Sequence, residues 1–354
     1  MNEAAKVLPA EPLVVVTRGQ ITESRHRGHV IVVAPDSSTV AELGSPDTIT
    51  YLRSSAKPHQ ALPLIVTGAA DRFGFTDKEI ALACASHSGE PVHTSIVASM
   101  LEKIGLPSSA LKCGIHEPFN AEAARRLRKT GEAPNVLQNN CSGKHAGMLA
   151  LALHLGAPIE TYDHIDHPVQ QAVSHMVAQF SGVPADQIYV GTDGCGVPVF
   201  GVSVRAMAVM YARLVTPPED FQPEIRTACQ RVVSTMMAFP ELIGGTSDRL
   251  DTEIMRAASG RLVSKVGAEG VYTAGVLPCK EWPRGLGFAL KIEDGDDHRA
   301  RPTVVIESLR QLRVLQDESL QALAQYASFR VLNRRGETVG TVRPNFHLSY
   351  QRLQ

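Results

Sequence analysis

The chain has 354 residues, 44% of them hydrophobic and 20% charged, which is enough for a well-buried core in one large or two ordinary domains and too apolar for a disordered chain. Its formal net charge is -1 and its pI about 6.9, so it carries no basic footprint for nucleic acid and no polybasic patch for a membrane surface. The expected partner is a small molecule or a second copy of the chain.

The stretch Met1–Pro12 holds Glu3 and Lys6 but no charged-then-apolar run closing on a small-residue cleavage site, and no later segment has the length of a membrane span. A cytoplasmic location is therefore expected. The six cysteines, Cys84, Cys113, Cys141, Cys195, Cys229 and Cys279, are scattered rather than packed as a disulfide framework. In a reducing compartment they serve burial, metal binding or reactivity.

Leu13–Thr17 reads as a strand, Arg18–Arg27 as polar connection and His29–Val33 as a second strand, with Asp36-Ser37-Ser38 turning into a third, Thr39–Leu43. This is an antiparallel meander. The β-branched and aromatic run Thr48–Leu52 then leads through Arg53-Ser54-Ser55-Ala56-Lys57-Pro58 into the apolar Ala61–Val66, a strand-to-helix junction whose turn Pro58 and Pro63 make irregular. Thr76 and Glu79 have capping-box spacing, and the helix they open runs to Ala85. Further helices are predicted from Glu90-Pro91 to before Gly105, over Ala121–Lys129, over Gly143–Leu155, from Pro168 with Asp166 as cap, and over Glu219–Met237.

After Arg261 the period returns to that of strands: Leu262–Val266, Val271–Val276 and Leu286–Ile292, the last two read as neighbours. A helix over Pro302–Ala327 and a strand pair, Phe329–Leu332 and Thr338–Val342, close the chain. No internal repeat or low-complexity linker interrupts it. The order strands, helices, strands predicts an α/β (α+β) fold in one catalytic domain over 1–354. An antiparallel sheet lobe comes from both chain ends, roughly 10–53 and 260–354, with a helical lobe of roughly 54–259 inserted between.

Ser54 and Lys57 stand three residues apart at the junction. On a helix they share a face, so a neutral Lys57 amine can take the Ser54 proton and make Ser54 a nucleophile. A free lysine, with a pKa near ~10.4, is charged at neutral pH, so the site needs burial or a second cation to release that proton. About one or two Ser-x-x-Lys matches are expected by chance in a chain this long, and Ser109 to Lys112 is another. That second match reads as a short polar turn.

Ser86, at the end of a helix in Ser86-His87-Ser88-Gly89, can point its hydroxyl into a cleft or bond to its own backbone. Lys265, mid-strand in Ser264-Lys265-Val266-Gly267, can reach solvent along its stem or stand in a site. Two Ser/Lys couples in one cleft would lower each other's lysine pKa. Cys141 in Asn139-Asn140-Cys141-Ser142-Gly143-Lys144-His145 and Cys195 in Gly191-Thr192-Asp193-Gly194-Cys195-Gly196 are two small buried thiols or, with a third ligand from the first turn, a zinc site. The cluster Asp163-His164-Ile165-Asp166-His167 reads as a helix start rather than a metal site.

Together the stretches Arg53–Pro58, Cys84–Glu90, Asn139–His145 and Gly191–Pro198 resemble the Rhizobium etli-type, thermolabile L-asparaginases, and the similarity runs over nearly the whole chain, Lys265 included. The resemblance implies a homodimer, a fold similar to serine β-lactamases and glutaminases, and hydrolysis of L-asparagine to L-aspartate and ammonia. It pairs Ser54 with Lys57 and Ser86 with Lys265, assigns a Zn2+ site to Cys141, Lys144 and Cys195, and places Arg53, His145 and Asp193 against the substrate or against the residues that touch it. Two rivals share parts of this pattern. A serine β-lactamase shares Ser-x-x-Lys, but its Ser-Asp-Asn and Lys-Thr-Gly signatures are replaced by Ser86-His87-Ser88 and Lys265-Val266-Gly267. A non-enzymatic zinc-dependent binding protein would need the cysteines and not the serines.

Overall fold

A computed structural model of the protein describes residues 9–350; most of Met1–Pro12, on which the expectation about export rests, lies outside the described residues. The chain divides into two compact units. One takes the described residues of Met1–Leu52, Val202–Thr216 and Ala257–Gln354; the other takes Arg53–Gly201 and Pro217–Arg256.

The strands are β1 Glu11–Arg18, β2 Ile21–Val33, β3 Thr39–Leu43, β4 Ile49–Tyr51, β5 Tyr189–Thr192, β6 Pro198–Ser203, β7 Leu262–Val266, β8 Val271–Val276, β9 Leu286–Ile292, β10 Phe329–Leu332, β11 Thr338–Pro344 and β12 Ser349–Tyr350. In the first unit they form one sheet in the order β10-β11-β1-β2-β9-β8-β7, with β3 also on β2 and β12 on β3. The pairings are antiparallel. Successive residues Val30–Val33 are all buried, and since strand side chains alternate between faces, both faces of the sheet centre are covered. The helices Val204–Val215 and Ala300–Gln311 pack on this sheet. At Gly287 the first of them comes so close that a Cβ would collide with the Ala208 carbonyl oxygen.

Several elements differ from their sequence reading, which has no counterpart for the helices Val204–Val215 and Leu250–Ala258. Arg18–Arg27 is not a connection: after a turn at Gly19, Ile21 to Gly28 pair with β1. Its polar side chains gave no strand period because most of them face solvent, while the ladder to β1 supplies the hydrogen bonds. The helix expected over Pro302–Ala327 is three pieces, Ala300–Gln311, Asp317–Ala322 and Ala324–Ala327. Arg313 turns left-handed at φ 55, and Val314 and Leu315 leave the helical path to be buried.

The second unit is a helical assembly around Lys57–Val66 and Ser142–His154, helices whose residues 57–64 and 142–152 are buried almost all round. Asp77–Ala83, Pro91–Lys103, Pro168–Ser181 and Pro223–Ala238 surround them. The Thr76–Glu79 capping box is present. The cap of Pro168–Ser181 is His167, whose Nδ1 accepts the Val169 N–H at 3.1 Å, and not Asp166. The sequence reading missed the β5–β6 hairpin, which is short, with β5 largely exposed. Among the described residues no helix is long and apolar enough to cross a membrane.

Candidate active site

The junction after Leu52 begins with Arg53 in the left-handed region, φ 50, a conformation that strains a residue with a Cβ and is concentrated at functional sites. A short 3-10 turn, Arg53–Ala56, then passes into the helix that starts at Lys57 with Pro58 in its first turn. Pro58 is tolerated there because first-turn amides have no intrahelical partner. The Arg53 Nε donates to Asp193 Oδ1 at 2.9 Å, and Asp193 Oδ1 also accepts the Gly194 amide. Ser54 is half-buried and makes no side-chain hydrogen bond among the described residues.

Lys57 is fully buried. Its Nζ lies 2.7 Å from the Ala85 carbonyl oxygen, 2.9 Å from Ser86 Oγ and 3.2 Å from the Asn140 carbonyl oxygen. Burial holds its pKa below the ordinary lysine value, opposed by Cys141 and reinforced by the Lys144 charge. The amine also hydrogen bonds with the Cys141 side chain, and in its unprotonated form it can take the Ser86 hydroxyl proton. Ser86 lies beyond the end of its helix, in a stretch without regular structure. Its hydroxyl lies beside the Lys57 amine.

Two turns bring the thiols together. Asn139 Oδ1 accepts the Cys141 amide at 2.8 Å, fixing the start of the helix that carries Lys144 and His145. The β5–β6 turn closes through Asp193 N–H to the Val197 carbonyl and Gly196 N–H to the Asp193 carbonyl, with Gly196 at φ 89. The Cys141 and Cys195 side chains hydrogen bond to each other. Lys144 Nζ donates to Cys195 Sγ at 3.1 Å, and all three residues are buried. The Cys195 hydrogen bond pulls the Cys141 thiol well below its usual value, helped by Lys57 and Lys144. Burial opposes the Lys144 charge, yet the two thiols and Asp193 together raise its pKa.

Among the described residues no group of three or more His, Cys, Asp or Glu is placed to hold a metal; this cluster has a lysine amine as its third donor. Two thiols and an amine that meet out of solvent fit a zinc ion once Lys144 gives up its proton. His145 is buried with its Nδ1 on the Tyr162 hydroxyl at 2.7 Å, and burial, with Lys144 and Lys57 beside it, keeps it neutral.

Lys265 is a fully buried residue of β7, so its amine does not reach solvent; Nζ donates to the Val266 carbonyl at 3.2 Å. The other Ser-x-x-Lys match forms no couple: Ser109 lies in a 3-10 turn, and Lys112 pairs with Asp163. Sequence reasoning missed the Ala85 and Asn140 carbonyls, since a backbone acceptor leaves no mark on residue type. It also missed Arg249, whose Nη1 and Nη2 bind Ser88 Oγ and the Ser86 carbonyl at 2.8 Å each. Nothing in the loop Gly244-Gly245-Thr246-Ser247-Asp248 signals that role.

The family profile of L-asparaginase II matches residues 14–344 of the chain. Among solved structures the chain is similar to a probable glutaminase from Bacillus subtilis, at 14% identity over 81% of this chain and 85% of that chain with a TM-score of 0.38. It is also similar to a β-lactamase from Burkholderia ambifaria, at 14% identity over 80% of this chain and 92% of that chain with a TM-score of 0.38. A comparison with curated proteins finds no match.

Proposed function

Because the chain belongs to the L-asparaginase II family and is an amidohydrolase of that family, we propose that it hydrolyses L-asparagine to L-aspartate and ammonia, with Lys57 as the base. The observation that carries this reading is the Lys57 amine, buried between two carbonyls and 2.9 Å from Ser86 Oγ. As the serine oxygen attacks the side-chain amide carbon, Lys57 takes the hydroxyl proton. When the C–N bond breaks, the Lys57 ammonium returns a proton to the departing nitrogen, leaving an ester. Water then adds with Lys57 again as proton acceptor, and aspartate and the free hydroxyl are released.

The hydrogen bond favours Ser86 as the activated hydroxyl. Ser54, one turn ahead of Lys57 beside the strained Arg53, is the second reading. Mass spectrometry after treatment with a diazoketone analogue of asparagine identifies the serine that is acylated. Lys265 is kept as a fourth functional residue on the family resemblance. Arg53, Asp193 and His145 are the contacts for the polar groups of the substrate.

Cys141, Lys144 and Cys195 would hold zinc, which when bound supplies a fixed positive charge that orients an anionic substrate group. The same reading includes a homodimer, measurable by sedimentation. Ammonia release from asparagine, with glutamine and a chromogenic β-lactam run beside it, tests the whole proposal. Turnover of asparagine above both supports it; preference for either alternative reassigns the substrate, and no turnover of any of the three leaves the zinc-binding rival.

A further inference from the structure

Ser86 lies outside any helix or strand, so no regular ladder fixes its backbone. The segment Ile243–Arg249 holds it instead. The Ser86 amide donates to the Ile243 carbonyl at 2.9 Å, and the Ser86 carbonyl accepts from Arg249 Nη2 at 2.8 Å. The next turn is bound to the same segment: Ser88 Oγ donates to the Gly244 carbonyl at 2.9 Å and accepts from Arg249 Nη1 at 2.8 Å. The Glu90 carboxylate takes the Thr246 amide at 3.0 Å and the Thr246 hydroxyl at 2.6 Å. The fit leaves no room, since a Cβ on Gly245 would stand 2.5 Å from Ser88 Oγ and 3.0 Å from Glu90 Oε1.

We propose that Arg249 is a positioning residue for Ser86, its guanidinium holding the Ser86 carbonyl and the Ser88 hydroxyl so that the Ser86 hydroxyl stays aimed at the Lys57 amine. This rests on the reading of Ser86 and Lys57 as a functional couple. A planar guanidinium can hold both oxygens at once, each from its own nitrogen, whereas a lysine ammonium presents one point of charge. The two acceptors fix the peptide after Ser86, while the Lys57 contact to the Ala85 carbonyl fixes the one before it. Rotation of either peptide would carry the hydroxyl away from the Lys57 amine, and a misplacement of ~1 Å at a reacting group costs on the order of 100-fold in rate.

The test is steady-state kinetics of the full chain for Arg249→Met, Arg249→Lys, Gly245→Ala and Ser86→Ala, with the double variant Ser86→Ala/Arg249→Met. Arg249→Met should lower kcat by about 100-fold with KM within about twofold, as expected for a loss felt in the transition state. Arg249→Lys should recover only part of it. Gly245→Ala, which shifts the segment and keeps the charge, should show the same kcat-only loss. The double variant should be no slower than Ser86→Ala alone.

Wild-type kcat in the folded Arg249 variants, or losses that multiply in the double variant, would overturn the proposal and leave the Ser86 reading standing. If Arg249→Met does not fold, Arg249→Lys and Gly245→Ala carry the same decision through their kcat against KM. Wild-type turnover in Ser86→Ala overturns the couple itself and, with it, this inference.

Discussion

The Lys57 amine lies 2.9 Å from the Ser86 hydroxyl, across 29 residues of sequence. The same amine contacts the Ala85 and Asn140 carbonyl oxygens and the Cys141 side chain.

Lys57→Met and Ser86→Ala should each lower kcat by roughly 100- to 10,000-fold, the range for removing a positioned base, with the folded state retained by circular dichroism. Because the two act as one unit, the double variant should be scarcely slower than either single one. Independent multiplicative losses for Lys57 and Ser86 would argue against the couple.

The rate should rise from neutral to alkaline pH. A base works only when unprotonated, so activity is lost as pH falls through the Lys57 pKa, which burial sets below that of a free lysine near ~10.4. A kcat profile with its midpoint at or above that value would contradict the assignment.

Stability should fall in acid before the carboxylates titrate. His87 and His93 stack at 5.1 Å, and burial pushes the pKa of each below the imidazole norm, well below for His87. Each accepts a backbone amide at Nδ1, from Gly89 and Glu90, so the neutral ring carries its proton on Nε2, directed at Ser142 Oγ and the Glu241 carbonyl. The unfolded chain binds protons near pH ~6.5 that the folded chain refuses, so this stability is whole above ~6.5 and lost as pH falls below it. Urea midpoints at neutral pH and near pH ~5.5 read the drop, and His87→Asn should shrink it.

Cys141→Ala or Cys195→Ala should remove bound zinc and raise KM more than it lowers kcat, as expected for a metal that orients substrate. Elemental analysis of protein purified without chelator measures the first half. A cysteine variant with wild-type zinc content, or a wild-type protein free of stoichiometric metal, would remove the site from the proposal.

Gly287→Ala should destabilise the sheet unit by about 1–3 kcal/mol through overpacking, because the new Cβ meets the Ala208 carbonyl of the helix on β9. A lower urea midpoint at unchanged slope is the expected signature; an unchanged midpoint would mean that the helix moves away at no cost.

The sequence by itself determined the strands whose residues are almost all buried, β7, β8 and β9, because short, mostly apolar runs rich in β-branched and aromatic residues report burial without reference to a partner. It likewise determined the Thr76–Glu79 cap, whose hydrogen bonds are local, and the motifs holding Ser54, Lys57, Ser86, Cys141 and Cys195. Only the tertiary structure decided that the Lys57 amine meets Ser86, that the polar run after Gly19 is a strand, and that Arg249 binds the Ser86 carbonyl. Each of these is a contact between groups far apart in the chain or through a backbone atom. Residue type and period carry no record of such contacts, which are selected when packing brings otherwise unsatisfied polar groups together.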